Sequence, residues 1–184
     1  MKIVLTNPNA RSLRGAPAPP LGIMSIASMV QDQHTVRIFD RNVIAQDIES
    51  YLNEFNPDLV GVSVLTGPVI HDAIMISRAA KARGIKVVWG GVHPSVLPEQ
   101  VLRDDYVDFV VIGEGEYTFK ELVQYLAEEN CSFSEIQGLG FKKDGKIYIN
   151  ERRPFIENLD DLPFPAWNLI NVDLYVRYGI PMVT

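Results

Sequence analysis

The stretch IKVVWGGVHPSV, residues 85–96, contains the pattern that decides the fold. Its apolar run ends at Gly90 and Gly91, and His93 and Pro94 follow directly. A continuous run of valine and isoleucine predicts a strand that is covered on both faces, as in a parallel sheet with helices on each side. The residues after the run are compatible with a plain turn, a phosphate cradle, a metal site or the floor beneath a large ligand.

The same alternation of an apolar run and a helical pattern occurs five times along the chain. The predicted strands are 2–7, 35–40, 59–65, 86–90 and 108–113, and the helical patterns that follow them are 20–33, 45–55, 69–84, 98–104 and 116–129. These repeats predict a Rossmann- or flavodoxin-like α/β fold with a doubly wound, five-stranded parallel sheet in the order 2-1-3-4-5.

The C-terminal part of the chain has a different pattern. Residues 138–154 predict a β-hairpin that turns at Asp144-Gly145. In the apolar stretch 155–175, two prolines prevent one continuous helix, which indicates a linker strap. We therefore divide the chain into an α/β domain, 1–130, and a hairpin with linker, 131–184, and we expect more protein to follow.

Composition excludes several classes of function. The net charge of the 184 residues is 17 − 23 = −6, which argues against a nucleic-acid partner. No apolar run reaches 18 residues, so we expect no membrane span. The single Cys131 excludes an internal disulfide and cannot by itself hold an iron–sulfur cluster or a structural zinc. A lone cysteine and a short N-terminal apolar run indicate a cytoplasmic protein.

A ligand is expected at the carboxyl ends of the strands, near the point where the strand order reverses. The loops at that edge are rich in glycine, proline and small polar residues and cover 7–22, 63–69, 90–96 and 113–119. Glycine lets a ligand approach the backbone closely, although it is also ordinary turn chemistry at a strand–helix junction. The first loop begins NPNARSL and has no G-x-G-x-x-G fingerprint, and the chain contains no P-loop.

The titratable residues do not form a reaction centre in the sequence. His34 is expected to be solvated, and His71 to be exposed or to cap the third helix. His93 has no carboxylate or cysteine at ligand spacing, so a hydrogen-bonding role at a ligand is favoured over a metal site. Glu114 and Glu116 have no accompanying nucleophile, and Glu116 also suits a helix N-terminus. The sequence therefore predicts neither a catalytic residue nor a metal ligand.

Five segments, in this order and spacing, are similar to a known family. They are PPLGIMSIAS (19–28), DLVGVSVLTGP (58–68), VVWGGVHPSVLPEQVL (87–102), DFVVIGEGEYTFKEL (108–122) and LDDLPFPAW (159–167). The chain thus resembles the N-terminal cobalamin-binding domain of the cobalamin-dependent radical S-adenosylmethionine (SAM) enzymes. The resemblance implies a following barrel domain with a C-x-x-x-C-x-x-C motif, which would bind a [4Fe-4S] cluster and SAM, neither of them held by this chain. It implies a parent methyltransferase, with a cyclase as the other reaction type.

The resemblance also implies where cobalamin binds. The corrin ring would lie across the carboxyl edge, and its nucleotide tail would descend between the sheet and a helix. Residues 63–65 match the S-x-L element of the tail pocket, 90–91 match its double glycine, and 113–116 would close the far side. The implied cofactor-binding residues are Asn7, Pro8, Asn9, Leu21, Gly22, Ser63, Val64, Leu65, Gly67, Gly90, Gly91, Val92, His93, Pro94, Gly113, Glu114, Gly115 and Glu116.

One departure from related cobalamin proteins concerns the cobalt ligand. Cobalamin mutases and methionine-synthase-like domains carry D-x-H-x-x-G after the first strand, but residues 1–33 contain no histidine. We therefore expect no side chain of this loop to bind cobalt, so that its lower face is open, water-bound or covered by Leu65 or Val92. Since a fold does not determine a function, a nucleotide- or sugar-nucleotide-binding enzyme domain remains the alternative. A receiver-like interaction domain would need an acidic cluster after the first strand, which is absent.

Overall fold

A computed structural model describes residues 1–9, 17–128 and 132–176. Its strands are β1 (Lys2–Asn7), β2 (Thr35–Asp40), β3 (Leu59–Ser63), β4 (Lys86–Gly90), β5 (Phe109–Val111), β6 (Leu139–Lys143) and β7 (Lys146–Ile149). Its α-helices are α1 (Leu21–Ser28), α2 (Ile48–Phe55), α3 (Val69–Lys81), α4 (Val92–Val96), α5 (Pro98–Leu102), α6 (Glu116–Glu128) and α7 (Val172–Val176). Short 3₁₀ turns lie at Phe133–Glu135, Leu159–Asp161 and Trp167–Leu169.

The strands form one sheet in the order β2-β1-β3-β4-β5-β6-β7. The first five strands are parallel, which confirms the α/β class and the predicted order 2-1-3-4-5. The predicted count of five strands was incomplete, because β6 and β7 add to the sheet in antiparallel orientation. The hairpin covers the otherwise open edge of β5 and buries Leu139 and Phe141, and unpaired sheet edges are rarely left open.

The predicted Asp-Gly turn of the hairpin is confirmed. Asp144 and Gly145 connect β6 to β7 with φ angles of 51° and 73°. Positive φ at both central residues is the mark of a type I′ turn, and asparagine, aspartate and glycine tolerate it best. The hairpin register is therefore determined by local sequence, and Phe141 pairs with Tyr148 across it.

Each face of the parallel sheet packs against helices. Residues such as Val62 and Trp89 belong to the core under α2 and α3, whereas Leu5 and Val88 belong to the core under α1 and α6. Successive strand residues point to opposite faces, so the continuous apolar runs of the sequence supply both cores. The helices are shorter than their patterns suggested. The pattern at 98–104 forms the short helix α5, which begins at Pro98 because proline is tolerated at the first helical position. A separate short helix, α4, precedes it.

The segment after β7 runs along the outside of the domain. The Ile156 amide donates to Glu114 Oε2 at 2.7 Å, and the Ala166 amide donates to the Met24 carbonyl of α1 at 3.1 Å. Among the residues that the structure describes, none of the helices has the length and apolar character needed to cross a membrane.

Candidate ligand-binding groove

A groove opens at the carboxyl edge of the sheet, on the side covered by α1 and α6. Its cavity volume is about 260 Å³. Eight of the residues predicted to bind a cofactor line it, namely Gly22, Ser63, Gly90, Gly91, Gly113, Glu114, Gly115 and Glu116. The structure therefore brings together residues from α1, β3, β4 and the β5–α6 loop, and it places them where the strand-order rule predicts a ligand.

The other half of the lining was missed by sequence analysis. These residues are Leu5, Ile23, Ile26, Gly61, Val62, Val88, Val111 and Phe119. Most of them are apolar residues of strand and helix interiors, which carry no local signal of a binding role. Val88 lies two residues before Gly90 and therefore on the same face of β4. On α1, Ile23 and Ile26 are three residues apart and share a face of the helix. Which of the two sheet faces bears the groove was not predictable from that spacing.

Glycine on β3 and β4 keeps the groove floor low. Ser63 pairs with Gly90 at the ends of the two strands. By strand alternation, position 90 shares its face with Val88, so a side chain at Gly90 would point into the groove. A Cβ at Gly90 would lie 3.9 Å from Val111 Cβ, an ordinary contact, whereas a Cβ at Gly61 would come within 2.6 Å of Leu5 Cδ2. Added side chains at these two positions would therefore fill the groove or clash beneath it.

Gly91 has a different role from its neighbour. Its φ of 98° suits glycine, and a Cβ there would lie 3.0 Å from the Val64 carbonyl oxygen. Two backbone hydrogen bonds hold this crossing, from Val64 N to the Gly90 carbonyl at 2.8 Å and from His93 N to the Val64 carbonyl at 3.0 Å. Gly91 thus lets the chain turn closely over the end of β3, while Gly90 leaves space for a ligand.

Glu114 and Glu116 stand at the rim of the groove. Glu114 Oε2 accepts the hydrogen bond from Ile156, and Glu116 Oε1 accepts one from the Ser25 hydroxyl at 3.0 Å. The two carboxylates are therefore positioned by the C-terminal strap and by α1 respectively. They are the only acidic or basic side chains in the groove lining, within the part of the chain that the structure describes.

None of the three histidines lines this groove. The His93 side chain is buried, its Nδ1 lies 3.2 Å from Thr66 Oγ1, and its ring centroid is 6.4 Å from that of Trp89 on the opposite face of the sheet. His34 lies 3.3 Å from the N-terminal nitrogen at the amino edge, and burial lowers its pKa. His71 is exposed on α3. Residues 1–9, 17–128 and 132–176 contain no metal-binding cluster of histidine, cysteine and carboxylate side chains.

The predicted residues at the end of β1 belong to a polar network at the carboxyl ends of β1 and β2. The Asn7 amide donates to Asp40 Oδ1 at 3.2 Å, and the Asn9 backbone donates to Asp72 Oδ2 at 2.7 Å. Arg41 pairs with the same Asp72 carboxylate at 2.9 Å and 3.2 Å. Of the remaining predicted residues, Pro8, Val64 and Pro94 are buried, whereas Leu21, Leu65, Gly67 and Val92 are exposed.

These features define a class of protein, a Rossmann-like α/β domain with a groove at the carboxyl edge of its parallel sheet. The profile of the B12 binding domain matches residues 11–123. The chain therefore belongs to the B12-binding domain family. The predicted resemblance to the cobalamin-binding domain of cobalamin-dependent radical SAM enzymes is confirmed.

Sequence relatives extend over almost the whole chain. An uncharacterized methyltransferase of Pyrococcus horikoshii is 37% identical over 98% of this chain and 41% of its own length. The cytidylyl-2-hydroxyethylphosphonate methyltransferase of Streptomyces wedmorensis is 27% identical over 95% of this chain and 41% of its own length. The chain thus spans about two fifths of these relatives.

Solved structures share the fold. The cobalamin-dependent SAM radical enzyme OxsB, with aqua-cobalamin and SAM bound, has a TM-score of 0.79 and 20% identity, over 96% of this chain and 25% of that one. The radical SAM methyltransferase TsrM from Kitasatospora setae, with cobalamin and a [4Fe-4S] cluster bound, has a TM-score of 0.69 and 21% identity, over 89% of this chain and 31% of that one. The chain is thus a B12-binding domain that shares its fold with these two cobalamin-bound radical SAM enzymes.

Proposed function

We propose that the groove holds the nucleotide tail of cobalamin while the corrin ring lies across the carboxyl edge of the sheet. The observation that carries this proposal is the groove itself, with apolar walls such as Ile26 and Phe119 and an unobstructed floor at Gly90. A flat, apolar dimethylbenzimidazole group gains free energy from burial against such walls. The residues present fit the group, because Gly90 has no side chain and so leaves the space that the tail needs.

We propose further that no histidine of this chain ligates cobalt. Residues 1–33 contain no histidine, His34 lies beside the N-terminal nitrogen, and the ring of His93 is buried near Thr66, which supports this proposal. The lower face of the ring would then be open, bound by water, or covered by Leu65 or Val92, which are 53% and 56% exposed. When bound, cobalamin would supply a methyl group for transfer, and the residues at the carboxyl edge would hold the corrin ring without a histidine ligand to cobalt.

The domain would present its cofactor to a C-terminal radical SAM domain. The proposal rests on the share of the relatives that this chain spans, 41% of each of the first two. Residues 1–130 would form the cobalamin-binding unit, and 131–184 would be the hairpin and linker. The [4Fe-4S] cluster and SAM would be bound by that following domain, in a parent protein that transfers methyl groups. Phe155 and Phe164 on the strap, 79% and 90% exposed, are available for contact with such a partner.

A binding experiment tests the proposal directly. The purified chain is titrated with hydroxocobalamin, desalted and examined by visible absorption, and we expect one cobalamin to be retained per chain. Gly90→Leu should abolish retention, because its side chain would point into the groove. Lys86→Leu is the matched control, since it adds the same side chain to an exposed position at the other end of β4. Equal retention by the Gly90→Leu and wild-type proteins would contradict the tail placement.

The cobalt ligand is tested by electron paramagnetic resonance of the cob(II)alamin-loaded chain. We expect a spectrum without nitrogen splitting from an axial base. A histidine-type nitrogen pattern would contradict the proposed lower face. Saturable binding of a sugar nucleotide, without cobalamin retention, would instead favour a nucleotide-binding function.

A further inference from the structure

The two rim carboxylates of the groove have an unusual setting, and the inference drawn from it rests on the proposed function. Apart from Glu114 and Glu116, the described groove lining consists of apolar side chains, glycines and Ser63. No lysine, arginine or histidine lines it, and neither glutamate takes part in the salt bridges between described residues. Within the described residues, the two rim carboxylates are therefore not neutralised by a salt bridge.

Each carboxylate also keeps an oxygen available for a ligand. Glu114 uses Oε2 for the Ile156 amide, and Glu116 uses Oε1 for the Ser25 hydroxyl. Their second oxygens, Oε1 of Glu114 and Oε2 of Glu116, accept no side-chain or backbone hydrogen bond from the described residues. The first oxygen holds each side chain in place, and the second is free to accept from a ligand.

A carboxylate without a cation discriminates between ligands by charge. It accepts hydrogen bonds from neutral donors such as carboxamides and repels a second carboxylate. The edge of the corrin ring carries carboxamide side chains, and in the proposed pose this edge crosses the rim of the groove. We propose that Glu114 and Glu116 determine specificity, admitting corrinoids with neutral carboxamides and excluding corrinoids that carry a carboxylate in the same position.

The test compares cobalamin with its monocarboxylic acid derivatives, in each of which one propionamide is hydrolysed. We expect the wild-type chain to bind at least one isomer about tenfold more weakly than cobalamin, because like charges meet at the partly buried rim. Added salt should narrow this difference. Glu114→Gln or Glu116→Gln should restore binding of that isomer, since glutamine removes the charge but keeps an oxygen for Ile156 or Ser25.

Glu135→Gln is the matched control. Glu135 is exposed and lies outside the groove lining, so its substitution removes the same charge without changing the rim. It should leave the tenfold ratio unchanged. Circular dichroism establishes that each variant is folded.

Two results would overturn the inference. One is equal affinity of the wild-type chain for cobalamin and for every acid isomer. The other is an unchanged affinity ratio in both rim variants. A wild-type chain that binds no corrinoid would instead refute the proposed function, and the selectivity with it.

Discussion

Gly90 and Gly91 are neighbours at the end of β4, yet we predict different responses to alanine. Gly91 has φ 98° and ψ −168°, a region that is almost restricted to glycine and costs other residues about 1–3 kcal/mol. A Cβ there would lie 3.0 Å from the oxygen and 3.2 Å from the nitrogen of Val64, and both atoms are held by backbone hydrogen bonds. We therefore expect Gly91→Ala to lower the free energy of unfolding by about 2 kcal/mol.

Gly90→Ala is the internal control for this prediction. Position 90 has no positive φ, and the nearest atom to its Cβ, Val111 Cβ, would be 3.9 Å away. Replacing glycine by alanine at a compatible position reduces the entropy of the unfolded chain and stabilises by about 0.4–1 kcal/mol. We expect the unfolding free energy of Gly90→Ala to equal or slightly exceed that of the wild type.

Urea unfolding followed by far-ultraviolet circular dichroism measures both changes in free energy. In thermal unfolding of a domain of this size, a loss of about 2 kcal/mol lowers the midpoint temperature by roughly 4–8 °C. An unchanged stability of Gly91→Ala, or equal losses in the two variants, would refute the assignment of strain to position 91. The sequence does not distinguish the two glycines as sites for blocking the groove. The structure favours Gly90, because a side chain there would fill the groove without straining the backbone.

Two further predictions concern buried tyrosines. Tyr175→Phe removes the hydrogen bond that its hydroxyl donates to Asp40 Oδ2 at 2.9 Å, and should lower the urea-unfolding free energy by about 1.5–3 kcal/mol, the usual range for a bond to a charged group. Burial is the main cause, and the hydrogen bond to Asp104 the second, of a rise in the pKa of Tyr106 from 10.0 to about 12. The folded state thus holds this proton more tightly, so its contribution to stability is complete below pH 10 and is lost as pH rises toward about 12. Unfolding free energies measured across this interval should fall less steeply for Tyr106→Phe than for the wild type.

Each of these predictions has a clear contrary result. Unchanged stability of Tyr175→Phe would mean that the strap does not depend on its contact with β2. Parallel pH profiles for Tyr106→Phe and the wild type would mean that Tyr106 does not contribute to the loss of stability at high pH.

The parallel sheet and its strand order were predictable because their signal is local. Val87 and Val88 point to opposite faces of the sheet and both are buried, as expected for a parallel sheet that helices cover on each side. The addition of β6 and β7 to that sheet was not predictable. It depends on pairing of Phe109 with Phe141, which are far apart in the chain, and a hairpin pattern contains no information about its neighbour.

Half of the groove lining was predictable for a similar reason. Gly90 and Gly115 interrupt apolar segments and are visible as exceptions, whereas Val88 and Phe119 look like ordinary core residues. His93 was predicted to form a hydrogen bond with a ligand. In the structure its ring is buried near Thr66 and does not line the groove, and the contact with a ligand stays a prediction.

The sequence by itself determined the fold class, the order of the parallel strands and the sheet edge at which a ligand is expected, because each follows from short apolar runs and the loops between them. It also determined that the loop after β1 offers no histidine. Only the tertiary structure decided which face of the sheet bears the groove and where Glu114 and Glu116 stand on its rim. These features depend on the packing of α1, α6 and the C-terminal strap, whose contacts join residues distant in the chain, such as Glu114 with Ile156 and Ser25 with Glu116.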